Sequence, residues 1–145
     1  MIKSLDNVLA EINNIYSNVG YTKDEARSDD NRIQFYTHVV SKYFKGEAAI
    51  TGVIEKSGVI KLYLTFGEIE ETPEVYDLIN KFNLFAAMAK AYIGEIAGKK
   101  HLEIRYTNCM ALDDVQAPLL FRFFFDDAVG AELSNQLKAL VDLTK

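Results

Sequence analysis

Ile2, Leu5, Val8, Leu9, Ile12, Ile15, Tyr16 and Val19 recur at intervals of three and four, with Gly20 where a left-handed stop belongs. That spacing predicts an amphipathic helix over 2–19. From Tyr21 to Asn31 the apolar period is lost among Lys23, Asp24, Glu25, Arg27, Asp29 and Asp30, which predicts a loop. The stretch that follows is rich in β-branched and aromatic residues and is punctuated at Lys45-Gly46 and Ser57-Gly58. It reads as a meander of three strands over about 33–44, 47–56 and 59–66. Alternation is clearest in the third, where Ile60, Leu62, Leu64 and Phe66 point one way and Val59, Lys61, Tyr63 and Thr65 the other.

Past Gly67, Thr72 can cap a second helix and Pro73 can take its first position, since the missing N–H is not needed there. Glu74 and Asp77 in the first turn suit the helix dipole. Val75, Leu78, Ile79, Phe82, Phe85, Ala86, Ala89, Tyr92, Ile93 and Ile96 keep a helical period as far as Gly98, so propensity alone draws one long helix. His101 to Met110 alternates like a strand, with Leu102, Ile104 and Tyr106 against Glu103, Arg105 and Thr107. In the tail Phe121, Phe125, Val129, Leu133, Leu137 and Leu140 form one helical stripe that runs through Gly130, with Asp113 or Asp114 as its cap and Pro118 within its first turn. Leu119 to Phe125 can also be read as a short aromatic strand, because Phe123, Phe124 and Phe125 in succession are apolar all round.

The ordered run Ile79-Asn80-Lys81-Phe82-Asn83, Ala89-Lys90-Ala91-Tyr92-Ile93, the Gly98 turn and Leu102-Glu103 resembles the signature region of the YbjN family of bacterial proteins. Members carry an Asn-x-aromatic-Asn step at the end of a central helix, a strand with Lys-x-Tyr, a Gly turn and a strand with Leu-Glu. The likeness covers about 79–143, and the N-terminal half matches in topology only. Ala111-Leu112-Asp113-Asp114 keeps the acidic step before the last helix without the glycines often found there. The resemblance implies an α+β fold similar to type III secretion chaperones, with an antiparallel five-stranded sheet in the order α-βββ-α-ββ-α. It ends the second helix near Asn83 and makes 86–96 a strand. It also implies a homodimer, as secretion chaperones of similar fold dimerise.

A chain of 145 residues with 49% hydrophobic positions fits one domain over 1–145 with its own core. Sixteen Lys and Arg against 21 Asp and Glu give a net charge of -5, the wrong sign for neutralising phosphates, so neither nucleic acid nor an anionic membrane is expected as a partner. Cys109 is the only cysteine, which excludes an internal disulfide. The start runs into Glu11 before any apolar segment of signal-peptide length, and the longest apolar run, Leu84 to Ala89, is too short for a membrane helix. A cytoplasmic location in a bacterial-type cell is expected.

Candidate chemistry is sparse. His38, His101 and Cys109 lie far apart without metal-ligand spacing, no base neighbours Cys109, and no nucleophile elbow surrounds Ser4, Ser17, Ser28, Ser41, Ser57 or Ser134. Glu68, Glu70, Glu71, Glu74 and Asp77 lack the order of a calcium loop and have a structural cause at a helix start. The glycines form no phosphate loop, so no metal, cofactor or catalytic residue is expected. What stands out is Phe121, Phe123, Phe124 and Phe125 around Arg122, which either fill the core or meet another chain; they are the candidate partner-binding residues. The expected function is that of a non-catalytic protein-binding module, chaperone-like or regulatory. The alternatives are a phage or toxin-antitoxin accessory protein that inhibits another protein, or a small-ligand-binding enzyme with a dispersed site.

Overall fold

The structure, a computed structural model, describes residues 1–15, 21–40, 47–86, 89–108, 110–123 and 134–145. Its elements are α1 (Leu5–Ile15), β1 (Thr22–Lys23), a 3-10 turn (Glu25–Arg27), β2 (Arg32–Val40), β3 (Glu47–Glu55), β4 (Ile60–Glu68), α2 (Pro73–Phe85), β5 (Ala89–Ile96), β6 (Lys99–Thr107), α3 (Gln116–Phe123) and α4 (Ser134–Val141). The strands form one open antiparallel sheet in the order β1-β2-β3-β4-β6-β5. The fold is therefore α+β, with consecutive strands joined as hairpins except where α2 intervenes.

One face of this sheet is the core. Ile33 and Phe35 of β2, Ile50 and Ile54 of β3, Ile60, Leu62 and Leu64 of β4, and Leu102, Ile104 and Tyr106 of β6 are buried on the same side. Val8 and Ile12 of α1, Val75, Ile79 and Phe82 of α2, Ala117 and Phe121 of α3, and Leu137 and Leu140 of α4 close over them in a single cluster. Each large side chain removed from water this way contributes roughly 1.5–3 kcal/mol, which is why the helices share one face. α1 packs on α3 and β2, and α2 on α4 and β5. Gly52 makes room for one of the core rings: a Cβ there would come within 2.2 Å of the Phe35 ring.

The sheet has six strands where five were expected. Thr22 and Lys23 pair with Tyr36 and Phe35, within the stretch read as a loop. They are held by polar bonds that carry no apolar period: the Asp24 N–H donates to Gln34 O at 2.8 Å, and its carboxylate accepts from the Tyr36 hydroxyl and, at 3.2 Å, from Arg27 N. α1 starts at Leu5, later than the expected Ile2, because Ser4 caps it by accepting from Asn7 N at 3.2 Å, leaving the buried Ile2 just outside. The expected end of that helix at 16–19 and the turn at Lys45-Gly46 lie outside the described residues.

α2 begins as expected, with Thr72 Oγ1 accepting from Val75 N at 3.2 Å and Pro73 in the first position. It ends at Phe85, and β5 follows at Ala89, so the long helix to Gly98 does not form. Ala97 and Gly98 close the β5–β6 hairpin with φ of 52° and 80°, the two-residue turn whose twist matches its strands. The tail holds two described helices, and the expected order α-βββ-α-ββ-α therefore gains α4 as well as β1. The two expected caps serve different helices: Asp113 Oδ1 accepts from Val115 N at 3.0 Å and Gln116 N at 2.8 Å ahead of α3, whereas Asp114 reaches back to Lys3 N at 2.7 Å and Ser4 N at 3.0 Å ahead of α1. Leu119–Phe123 is helical, so the aromatic-strand alternative fails there; Pro118 sits in the first turn of α3, where it breaks no internal bond.

Candidate functional site

Period-two alternation that buries one face of β2–β6 turns the opposite residues to the other, helix-free face, which is free of α-helices among the described residues. Register aligns them in rows across five strands. One row runs Tyr36, Thr51, Tyr63, Arg105, Lys90, and the next runs His38, Ala49, Thr65, Glu103, Tyr92. A third runs Gln34, Val53, Lys61, Thr107. Together the rows carry Lys61, Lys90 and Arg105 against Glu103 alone, with three tyrosines among them. They also include the buried Val53 and the buried Gln34, whose amide is bonded on both sides: Gln34 Nε2 donates to the Tyr36 hydroxyl at 3.0 Å, and Arg32 Nη2 donates to Gln34 Oε1 at 3.1 Å.

The β5–β6 end of this face is the most ordered by side chains. The Arg105 guanidinium lies 5.5 Å from the centre of the Tyr63 ring, within cation–π range. Lys90 Nζ donates to Asn83 O and Ala86 O, both at 3.0 Å, at the carbonyl end of α2. Carbonyls at a helix C-terminus favour a cation, and these two hold the ammonium in place. The Tyr92 hydroxyl bonds to Glu103, and burial first, then this bond, pushes its pKa up to about 12. The Glu103 carboxylate lies over Gly94, where a Cβ would come within 2.5 Å of its Cδ and Oε2, so only glycine leaves that space. Between these groups Lys90, Tyr92, Arg105 and Thr107 line a shallow depression of about 470 Å³.

Both sheet edges are blunted. β1 is two residues long. At the opposite edge Asn83 makes a bracket with β5, donating from Nδ2 to Ala91 O at 3.1 Å and accepting at Oδ1 from Ala91 N at 2.7 Å, as a neighbouring strand would. Glu95 adds a charge there, paired with Lys100 at 3.4 Å.

Among the residues singled out from sequence, Phe121 is 1% exposed and packs against Phe35 at 5.8 Å between ring centres, so for Phe121 the partner-contact expectation gives way to the core. Phe124, Phe125 and the side chain of Phe123 lie outside what is described, as does Cys109. His38 stands on the helix-free face, and His101 Nδ1 lies 3.3 Å from Phe66 O. Among the described residues no three His, Cys, Asp or Glu side chains gather as metal ligands would. Ser28 is spent on a turn, donating to Asp24 O at 2.7 Å, and Ser4 on the α1 cap. In the acidic stretch, Glu68 pairs with Lys99 at 3.3 Å and Glu71 with Lys100 at 2.9 Å; the Lys100 bond holds the Glu71 carboxyl below its ordinary pKa.

Sequence reasoning missed Arg105, Tyr63 and Lys90 as one group. Alternation already put Tyr63 opposite the core in its strand and Arg105 in its own, but the adjacency of β4 and β6 is long-range. No helix among the described residues is long and apolar enough to cross a membrane. No protein-family model, no curated protein and no solved structure matches this chain.

Proposed function

We propose that the protein is a non-catalytic protein-binding module of chaperone-like or regulatory type, acting in a bacterial-type cytoplasm, and that it receives its partner on the helix-free face of the sheet. One observation carries this reading: the four described α-helices contribute to the core on one face while the other presents Tyr36, Tyr63, Tyr92, Lys90 and Arg105 in register, with both sheet edges blunted. Antiparallel sheets leave a face open in this way, and tyrosine and arginine are the side chains that anchor protein contacts. The succession α1, β2–β4, α2, β5–β6, α3 supports kinship with YbjN-type proteins and the secretion-chaperone fold. So does the convergence of Asn83, Lys90, Tyr92 and Glu103, the residues that carry the resemblance.

The reading includes a homodimer. Ala117 and Phe121 of α3 are buried, while Leu119 of α3 and Val115, the residue just before α3, are 54% and 71% exposed. A second copy would cover that apolar surface. The test of the module is affinity capture from host extract with the intact chain and with Thr51→Arg/Thr65→Arg, which places bulky charge on the helix-free face without touching the core. A partner retained by the intact chain and lost by the variant is expected. Equal capture by both, with both folded, removes the face from the proposal.

A further inference from the structure

We infer that the depression between β5 and β6 takes the carboxylate of an acidic segment in a partner polypeptide. This rests on the helix-free face being the binding surface. Lys23, Arg27, Lys61, Lys99, Lys100 and Lys138 each pair with a carboxylate in this acidic chain. Lys3, Arg32, Lys56, Lys81, Lys90, Arg105 and Lys145 have no ion pair with a carboxylate among the described residues, and of these Lys90 and Arg105 are direct neighbours across β5 and β6 and line one depression. The one carboxylate of their rows, Glu103, is turned over Gly94 and bonded to Tyr92. Two adjacent cations left unneutralised in a chain of net charge -5 form a local field opposite to that of the molecule.

Both cations are held before any ligand arrives. Lys90 spends two of its three N–H donors on Asn83 O and Ala86 O, leaving one to point elsewhere, and Arg105 is stacked on Tyr63. A guanidinium fixed by an aromatic face still offers its fork to a planar carboxylate. Thr107 adds a hydroxyl, and Tyr92 offers ring surface for the aliphatic stem of a glutamate. The depression is open and lies on a sheet face with blocked edges, so the acid arrives as a side chain of a chain lying across the strands, and the sheet gains no strand. A short acidic segment is favoured over nucleic acid because it needs only the two cations of the depression, whereas a long polyanion meets the net charge of -5 of the whole chain.

The experiment is a titration of the isotope-labelled intact protein, read by amide chemical shifts, with a blocked octapeptide of alternating glutamate and threonine. The same peptide with glutamine for glutamate, sodium acetate, inorganic phosphate and oligouridine are the comparison arms. The glutamate peptide is expected to shift Lys90, Tyr92, Arg105 and Thr107 first, the glutamine peptide to leave them in place, and Lys90→Gln/Arg105→Gln to weaken binding about tenfold. The double variant gives up the two Lys90 bonds to the end of α2 and the Arg105–Tyr63 stack, so its melting temperature is measured alongside and binding is compared at a temperature where both proteins are folded.

Equal binding of the glutamine peptide, preference for oligouridine, or no shift at millimolar glutamate peptide overturns the inference. So does an effect of acetate or phosphate as strong as that of the peptide, since it would mark a small-anion site. Loss of a captured partner on Thr51→Arg/Thr65→Arg but not on Lys90→Gln/Arg105→Gln overturns the acidic-segment inference and leaves the module standing. If neither variant loses the partner, both fall.

Discussion

Tyr92 shows how one side chain reports on its surroundings. Its pKa is pushed from 10.0 up to about 12, first by burial and then by the bond to Glu103; Tyr21, 5.4 Å from Phe35, is pushed up to about 12 by burial. In the unfolded chain both ionise near 10, so their neutral forms favour the folded state fully below that pH, and the contribution is lost as pH rises through about 12. Denaturation monitored over this window should show stability falling, and Tyr21→Phe with Tyr92→Phe should flatten the fall. Glu103→Gln should bring the Tyr92 midpoint down while leaving it above 10.0, because burial, the larger cause, remains. A carbon-13 titration of the Tyr92 ring checks this, and a midpoint unmoved by Glu103→Gln would refute the bond.

At the scale of elements, the decision between helix and strand after residue 83 turns on Asn83. Apolar period and propensity favour continuing the helix through Ala86, Ala89 and Ala91, yet β5 forms because β6 supplies its ladder and the Asn83 amide closes the other side of Ala91. Asn83→Ala removes two bonds, each with a net worth of about 0.5–1.5 kcal/mol, and should cost about 1–3 kcal/mol in chemical denaturation. It also exposes Ala91 at the edge, so self-association through β5 should rise with concentration, as light scattering would show. A loss below a few tenths of a kcal/mol would mean that water replaces the amide fully.

This same balance explains what the sequence made legible. The cap at Thr72, the alternation of β4 and the Gly98 turn are local, and each could be read from a few consecutive residues. β1 was hidden because it depends on Asp24, Tyr36 and Gln34 bonding across a turn, with no apolar signature. The candidate site was half legible: alternation showed which residues of β4 and β6 share a face, and only the register of β4 with β6 and of β6 with β5 sets Tyr63, Arg105 and Lys90 side by side.

For the molecule as a whole, the question left by an aromatic-rich tail is how much of it the core absorbs. Phe121 answers for the inner side of α3: buried between helices and β2, it should cost about 3–5 kcal/mol when replaced by alanine, and the melting temperature should fall with it. The outer side carries Leu119, with Val115 just ahead of the helix, both exposed, and burying them needs a second chain. Sedimentation at micromolar concentration should therefore show a species of twice 16.4 kDa. Val115→Lys/Leu119→Lys should convert it to the single chain with the melt of the isolated fold intact, whereas Phe121→Ala should lower the melt of whatever species is present. The contrast matters because an apolar surface that only tolerates water and one that binds a copy look alike in one chain. A single species of 16.4 kDa for the intact protein, or a dimer indifferent to Val115→Lys/Leu119→Lys, would take α3 out of the assembly and leave the helix-free face as the one docking surface proposed.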